Sequence, residues 1–240
     1  RCDLAAEYDL SVVIPCLNEE KTIGICVQKA WDCIQKYSVN AEIVVSDNGS
    51  SDKSVEIVEG FNNPNIRVVH CSEKGYGNAL KSGFSAAKGK YILMGDADDT
   101  YDMAKINEFY AKAVSDENIS MVIGSRFRGG IEKGAMPFLH KYLGNPVITI
   151  LIDILFGTKI TDSQCGMRLF KKSDYEKINF TSEGMEFASD IIIEFSKNNM
   201  KIVEIPTTLS KDKAGRKPHL RTFPDGYRVI KFILKKRFCK

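Results

Sequence analysis

Tyr91-Ile92-Leu93-Met94-Gly95-Asp96-Ala97-Asp98-Asp99 decides how this chain folds and where its chemistry sits. A short apolar run that breaks at a glycine and then releases three carboxylates reads as a buried strand with a polar carboxyl end. Four similar runs surround it: Leu10 to Pro15, Glu42 to Ser46, Ile66 to His70 and Ser120 to Gly124. Helical patterns fill the gaps at about 20–37, 51–60, 77–88 and 103–115. This alternation predicts an α/β fold, a mostly parallel central sheet with helices on both faces. In such sheets ligands bind beyond the carboxyl ends of the strands.

Each of those ends is polar. In chain order they are Cys16-Leu17-Asn18-Glu19-Glu20, then Asp47-Asn48-Gly49-Ser50-Ser51-Asp52, then Glu73-Lys74-Gly75-Tyr76-Gly77, then Asp96-Ala97-Asp98-Asp99, then Ser125-Arg126-Phe127. Five strand ends can build one crevice. After residue 125 the pattern becomes a Gly-rich loop, a helix at about 138–156, a strand within Cys165 to Lys171, a helix at about 186–197 and strands near 202–210.

Two carboxylates one residue apart at a strand end, Asp96 and Asp98, can share a hard cation, Mg²⁺ or Mn²⁺, and leave its other positions for diphosphate oxygens. The structural alternative is an acidic turn that caps the next helix, with Asp99 or Thr100 near the N-cap. Asp47 stands where a carboxylate can accept from a nucleobase N–H, whereas Ser50, Ser51 and Asp52 read as a turn and cap. Gly75-Tyr76-Gly77 allows close backbone approach, but a dinucleotide fingerprint belongs after the first strand, where Pro15-Cys16-Leu17-Asn18 stands. A dehydrogenase is therefore disfavoured.

With 240 residues, 43% hydrophobic, the chain suffices for one α/β domain with an appended segment. Residues 211–240 hold eleven Lys/Arg against two Asp/Glu, so a basic tail follows an acidic body. Such a tail can meet phosphates or simply be solvated. The seven cysteines form no CxxC pair, and His70, His140 and His219 are scattered, so zinc is not expected and the thiols read as small buried hydrophobes in a reduced compartment. The longest apolar stretch, Pro146 to Gly157, is interrupted by Asp153 and falls short of the about 20 residues that span a bilayer.

Ser11-Val12-Val13-Ile14-Pro15 with Asn18-Glu19-Glu20, Val44-Val45-Ser46-Asp47-Asn48-Gly49-Ser50-Ser51-Asp52 and Gly95-Asp96-Ala97-Asp98-Asp99 together resemble the inverting glycosyltransferases of family 2, with the A-type nucleotide-sugar fold. Gly124-Ser125-Arg126-Phe127 and Asp162-Ser163-Gln164-Cys165-Gly166-Met167-Arg168 look like the polyprenyl-phosphate branch, the dolichyl- or undecaprenyl-phosphate sugar synthases. The resemblance covers about residues 10–215. It implies that Pro15, Glu19, Asp47, Asp96 and Ala97 line the nucleotide site and that Asp98, with Asp96, holds Mg²⁺ or Mn²⁺ as a Lewis acid on the leaving diphosphate. Arg126, Arg168, Arg216 and Lys217 would face phosphates, the last two from a basic loop that closes over the donor. Asp162 falls where the branch resembles enzymes with a catalytic carboxylate, either a base or a group that orients the acceptor or donor. Glu183-Gly184-Met185-Glu186 reads as an acidic first helical turn, with sugar-hydroxyl recognition as its functional alternative.

The resulting expectation is a catalytic domain over 1–222, with a nucleotide-binding half at about 9–125 and an acceptor half at about 126–222. A basic amphipathic helix over 223–240 would either lie on a membrane surface or pack on the domain. Many relatives in the branch continue into transmembrane helices, so the end at Lys240 is compatible with a removed membrane segment or with a peripheral enzyme at the inner membrane face. The expected partners are a nucleotide-sugar donor, UDP-hexose before GDP-mannose, and a polyprenyl phosphate acceptor; a homo-oligomer is left open and no nucleic acid is expected. Rival readings are a same-fold transferase acting on a glycan or protein hydroxyl, a sugar nucleotidyltransferase, and a noncatalytic nucleotide- or nucleic-acid-binding module.

Overall fold

The computed structural model describes residues 7–212 and 222–238, with side chains in the second segment described from 226 onward. Among the described residues seven strands form one sheet: β1 (Tyr8–Cys16), β2 (Ala41–Asp47), β3 (Ile66–His70), β4 (Gly89–Met94), β5 (Ile119–Ser125), β6 (Arg168–Lys171) and β7 (Lys201–Pro206). Their order is β3-β2-β1-β4-β6-β5-β7. Every residue of β2 and β5 is buried, as expected of strands covered on both faces, whereas edge strand β3 is mostly half-exposed.

The helices are α1 (Ile23–Lys36), α2 (Ser54–Glu59), α3 (Tyr76–Ala86), α4 (Ile106–Val114), α5 (Arg126–Gly129), α6 (Asn145–Phe156), α7 (Lys172–Tyr175), α8 (Phe187–Lys197) and α9 (Thr222–Phe238). A π-helical turn at His140–Gly144 runs into α6. In α1 the buried residues are Ile23, Cys26, Val27, Ala30, Cys33 and Ile34, a stripe at helical spacing, so the two cysteines do serve as small core residues. The α1 stripe packs with α2 and α4, while α3 and α8 pack together. Phe84 of α3, Phe170 of β6 and Phe187 and Phe195 of α8 are fully buried in one aromatic cluster with Tyr175. Truncating one such ring costs about 3–5 kcal/mol.

The expected helices and strands are present except near 202–210, where one strand, β7, forms and Leu209 makes only isolated bridges; the topology differs at one further point. The short strand expected within Cys165 to Lys171 runs antiparallel and is inserted between β4 and β5, pairing Met94 with Arg168 and Ile123 with Arg168. Because β6 begins at the edge where β4 and β5 end, the loop before it, residues 162–167, is delivered to the carboxyl ends of its neighbours. This insertion positions the site.

Val229 and Ile233 of α9 are buried, and Lys236 Nζ lies 2.8 Å from Asp190 Oδ1 and 3.0 Å from Glu194 Oε1 of α8. One face of α9 therefore packs on the domain. Among the described residues no helix is long and apolar enough to cross a membrane.

Candidate active site

The first two strand ends are sewn together. Asn18 N donates to Ser50 Oγ at 3.0 Å, Glu19 N to Ser54 Oγ at 2.7 Å, Glu20 N to Asp52 Oδ2 at 3.0 Å and Ser51 N to Asn18 Oδ1 at 2.8 Å. Ser50, Ser51 and Asp52 thus have the structural role expected of a turn and cap. Asp47 pairs in register with Cys16 on one side and His70 on the other. Its Oδ1 accepts from Ser50 N at 3.0 Å and its Oδ2 from Gly49 N at 3.2 Å, with His70 Nδ1 at 3.3 Å. Burial pushes this carboxyl up, yet the hydrogen bonds from Ser50, His70 and Gly49 outweigh it and hold the group below the usual carboxylate range. Asp47 is an ionised group at the crevice end of β2. Pro15, next to the last residue of β1, and Glu19, three residues past its end, are half-buried.

The end of β4 is the centre. Asp96 Oδ1 accepts from the Tyr76 hydroxyl at 2.9 Å, and Asp98 Oδ1 accepts from Thr100 N at 3.0 Å and Thr100 Oγ1 at 2.6 Å. Burial, then the neighbouring charge of Asp98, push the Asp96 carboxyl up to about 7. Tyr76 is itself pushed well above the usual phenol range by burial and by Asp96, so it stays protonated and donates. The helix-cap reading of the triplet fails here. Asp102 caps the next helical turn through Ala104 N, and Asp99 is buried against Lys29 Nζ at 2.7 Å. Asp96 and Asp98 are left with one oxygen each, Oδ2, that takes no hydrogen bond among the described residues.

Those residues contain no cluster of three or more His, Cys, Asp or Glu able to hold a metal. A divalent cation at Asp96 and Asp98 would take two carboxylate ligands at most from this chain and the rest from a bound diphosphate and water. Two hard oxygen donors fit that arrangement once Asp96 has lost its proton.

The loop before β6 closes the crevice. Gly166 N donates to the Tyr101 hydroxyl at 3.0 Å, and a Cβ on Gly166 would overlap Asp96 Oδ2 and lie 3.1 Å from the Tyr101 ring. Gly166→Ala should therefore displace Asp96 and reduce kcat/KM for transfer about a hundredfold, with circular dichroism unchanged. Wild-type rates would refute the packing argument. Asp162 is fully buried: its Oδ2 accepts from Arg126 N at 3.0 Å and Arg126 Nε at 2.7 Å, and its Oδ1 from Arg126 Nη2 at 2.7 Å. Arg126 is thereby fixed at the end of β5, with Nη1 making no hydrogen bond among the described residues.

Arg168 has a different occupation from the expected phosphate contact. Its side chain is wholly buried, and Nε, Nη1 and Nη2 donate to the carbonyls of Cys165 at 2.8 Å, Ala188 at 2.6 Å and Ser163 at 2.9 Å. It shapes the 162–167 loop as a strut, because a guanidinium out of water must satisfy its donors locally. Arg216 and Lys217 lie outside the described residues. Gly75 and Gly77 permit close approach of protein backbone: a Cβ on either would strike the Glu183 carbonyl at 2.5 and 2.9 Å. Glu186 Oε1 takes the Gly184 N–H at 3.3 Å, and its Oε2 is buried without a partner among the described residues.

Sequence reasoning missed Tyr76, Tyr101, Lys29 and His70. His70 carried a signal, since it ends a strand as Asp47 does; the others act across loops whose proximity depends on the packed fold.

Residues 11–179 match the family described as Glycosyl transferase family 2. The chain is 37% identical over 235 residues to the low-salt glycan biosynthesis hexosyltransferase Agl6 of Haloferax volcanii, across 96% of this chain and 55% of that protein. It thus spans about half the length of that relative. It is 29% identical over 227 residues to the dolichyl-phosphate hexose transferase of the same organism, across 95% of this chain and 93% of that one. Among solved structures, glucosyl-3-phosphoglycerate synthase from Mycobacterium tuberculosis, in complex with Mn²⁺, uridine diphosphate and glucosyl-3-phosphoglycerate, superposes with a TM-score of 0.75 at 19% identity, covering 97% of this chain and 81% of that one. The last likeness concerns the fold.

Proposed function

The chain belongs to glycosyl transferase family 2, with the A-type fold, and is a glycosyltransferase; we propose that it transfers a hexose, with inversion, from a nucleotide-sugar to a polyprenyl phosphate at the cytoplasmic face of a membrane. The observation that carries the acceptor class is the state of Asp162. Both of its oxygens are held by Arg126 and it is buried, so it is poorly placed to take a proton from substrate. A hydroxyl acceptor needs a general base, whereas a phosphate monoester arrives already ionised. The name of the dolichyl-phosphate relative supports the same choice.

In this reading Pro15, Glu19 and Asp47 receive the nucleoside, with Asp47 accepting from a base N–H and so favouring uracil or guanine. Asp96 and Ala97 lie along the ribose and diphosphate, and Asp98 with Asp96 would hold Mg²⁺ or Mn²⁺. When bound there, the cation neutralises charge on the departing nucleoside diphosphate. Tyr76 fixes the Asp96 carboxylate through its hydroxyl. Arg126, locked by Asp162, presents Nη1 to a phosphate, from the donor or from the acceptor. Labelled sugar transfer tests the reading: counts in polyprenyl phosphate, lost on chelation, are expected, and glycosylation of hydroxyl acceptors with inert polyprenyl phosphate would defeat it.

A thermal-shift panel checks donor and metal together. Uridine diphosphate with Mn²⁺ should raise the midpoint by several degrees, since ligand at about 100 times its Kd adds about 2.7 kcal/mol. The Mn²⁺ increment should also depend on pH. A carboxyl raised to about 7 is mostly protonated at pH 6 and must lose its proton to bind a cation. The increment is therefore smaller at pH 6 than at pH 8, and equal increments would remove Asp96 from the metal site.

A further inference from the structure

Among the described residues the outward face of 138–156 is apolar and uncovered. Ile148, Thr149 and Ile152 of α6 are buried against the domain, yet Leu143, Val147, Ile150 and Ile154, spaced as one helical stripe, are exposed on the opposite side. Phe138 and Tyr142 extend the patch, their rings in tilted contact at 4.7 Å between centroids. Ile154 is 76% and Phe138 74% exposed. A helix apolar on both faces belongs in a core or against lipid, and a contiguous patch of this kind marks an interaction surface.

What the patch fits is set by its surroundings. α9 packs against α6 and against the π-helical turn. It carries Arg228, Lys231, Lys235 and Arg237 exposed. Lys141 Nζ lies over the Tyr142 ring at 5.4 Å. The one acidic residue between 138 and 156 is Asp153, and its Oδ1 is engaged by Thr158 and by Ile160 N. The surface is therefore an apolar strip that holds Lys141 and no free anion, next to a helix, α9, whose exposed residues include four cations. A two-fold pairing of two copies would bring the same cationic flanks together, at a cost. An anionic bilayer complements both features at once: apolar side chains enter the acyl boundary to about 5–10 Å while each nearby Lys or Arg adds about 1 kcal/mol.

We infer that α6, with the turn before it, is an interfacial anchor that lies in an anionic lipid surface with α9 along its headgroups. The sequence leaves the tail helix either on a membrane surface or packed on the domain; in this inference the inserted side chains belong to α6 instead. The surface is argued from exposed side chains, while its purpose, bringing the crevice to a lipid acceptor, rests on the function proposed above.

The test is co-sedimentation of the full chain with vesicles of phosphatidylglycerol and phosphatidylcholine, against vesicles of phosphatidylcholine alone. Stronger partition to the anionic vesicles is expected. Ile150→Glu with Ile154→Glu should lower it about tenfold, whereas Ile25→Glu, at an exposed apolar position on α1, should not. Both variants should keep the uridine diphosphate thermal shift, which shows that they fold. Undiminished partition in the double variant overturns the inference. So does self-association by light scattering that the double variant abolishes while the parent ignores vesicles. Vesicle binding without sugar transfer to polyprenyl phosphate would instead defeat the proposed function and leave the anchor standing.

Discussion

Asp98→Ala is expected to lower kcat/KM for sugar transfer about a thousandfold while moving the thermal midpoint by only a few degrees. The structural share of this carboxylate is small. It accepts two hydrogen bonds from Thr100, in a turn where loss of a polar side chain costs about 1 kcal/mol. For a chain of this size that is about 2–4 °C. The catalytic share is larger, because removing one pre-positioned electrostatic contact to a departing diphosphate costs a few kcal/mol in the barrier, and about 4 kcal/mol is a thousandfold. Asp96→Ala would not separate the shares as well: Asp96 packs on Gly166 and holds Tyr76, so its loss disturbs the crevice floor. Steady-state rates at saturating Mn²⁺, read beside the melting curve, check the prediction. Near-wild-type turnover in Asp98→Ala would remove this residue from the metal site.

Much of this arrangement was legible because it is local. Val44-Val45-Ser46-Asp47 and Leu93-Met94-Gly95-Asp96 each state in consecutive residues that a buried strand ends and a polar turn begins. A parallel sheet then dictates that such ends share one edge. The placement of Asp47, Asp96, Asp98 and Arg126 at that edge follows without any knowledge of pairing.

What sequence could not supply was the company each group keeps. Whether an arginine faces a phosphate or props a loop depends on which carbonyls surround it. The nearest of these for Arg168 come from Cys165 and Ser163 in its own loop and from Ala188 on a helix twenty residues away. The antiparallel insertion of β6 was equally hidden, because Arg168-Leu169-Phe170-Lys171 is apolar enough for several neighbours. The choice is made by Phe170 packing with Phe84 and Phe195, contacts far apart along the chain. Gly75 and Gly77 carried a correct signal, close approach, with the wrong partner: the Glu183 backbone in place of a ligand.

Asp162→Ala should be the most destabilising single change near the crevice. The alanine leaves the Arg126 guanidinium, 7% exposed, without its two acceptor oxygens. Breaking a buried ion pair from one side costs about 3–5 kcal/mol, because the surviving charge is stranded away from water. The midpoint should fall by about 10 °C. The arginine cannot escape by losing its proton, because a guanidinium keeps its charge in proteins. Loss of activity in this variant would say little by itself. The double change Asp162→Leu with Arg126→Met removes both charges and should recover most of the stability, since a buried pair replaced by apolar groups is often neutral. If Asp162 works by fixing Arg126, the recovered protein still binds uridine diphosphate with Mn²⁺ yet transfers sugar at least about a hundredfold more slowly. A double variant that is stable and transfers at the parental rate would show that the pair serves the fold alone. Restored transfer in Asp162→Ala on adding a small carboxylate that takes up a proton would return Asp162 to the role of base, and with it the case for a hydroxyl acceptor.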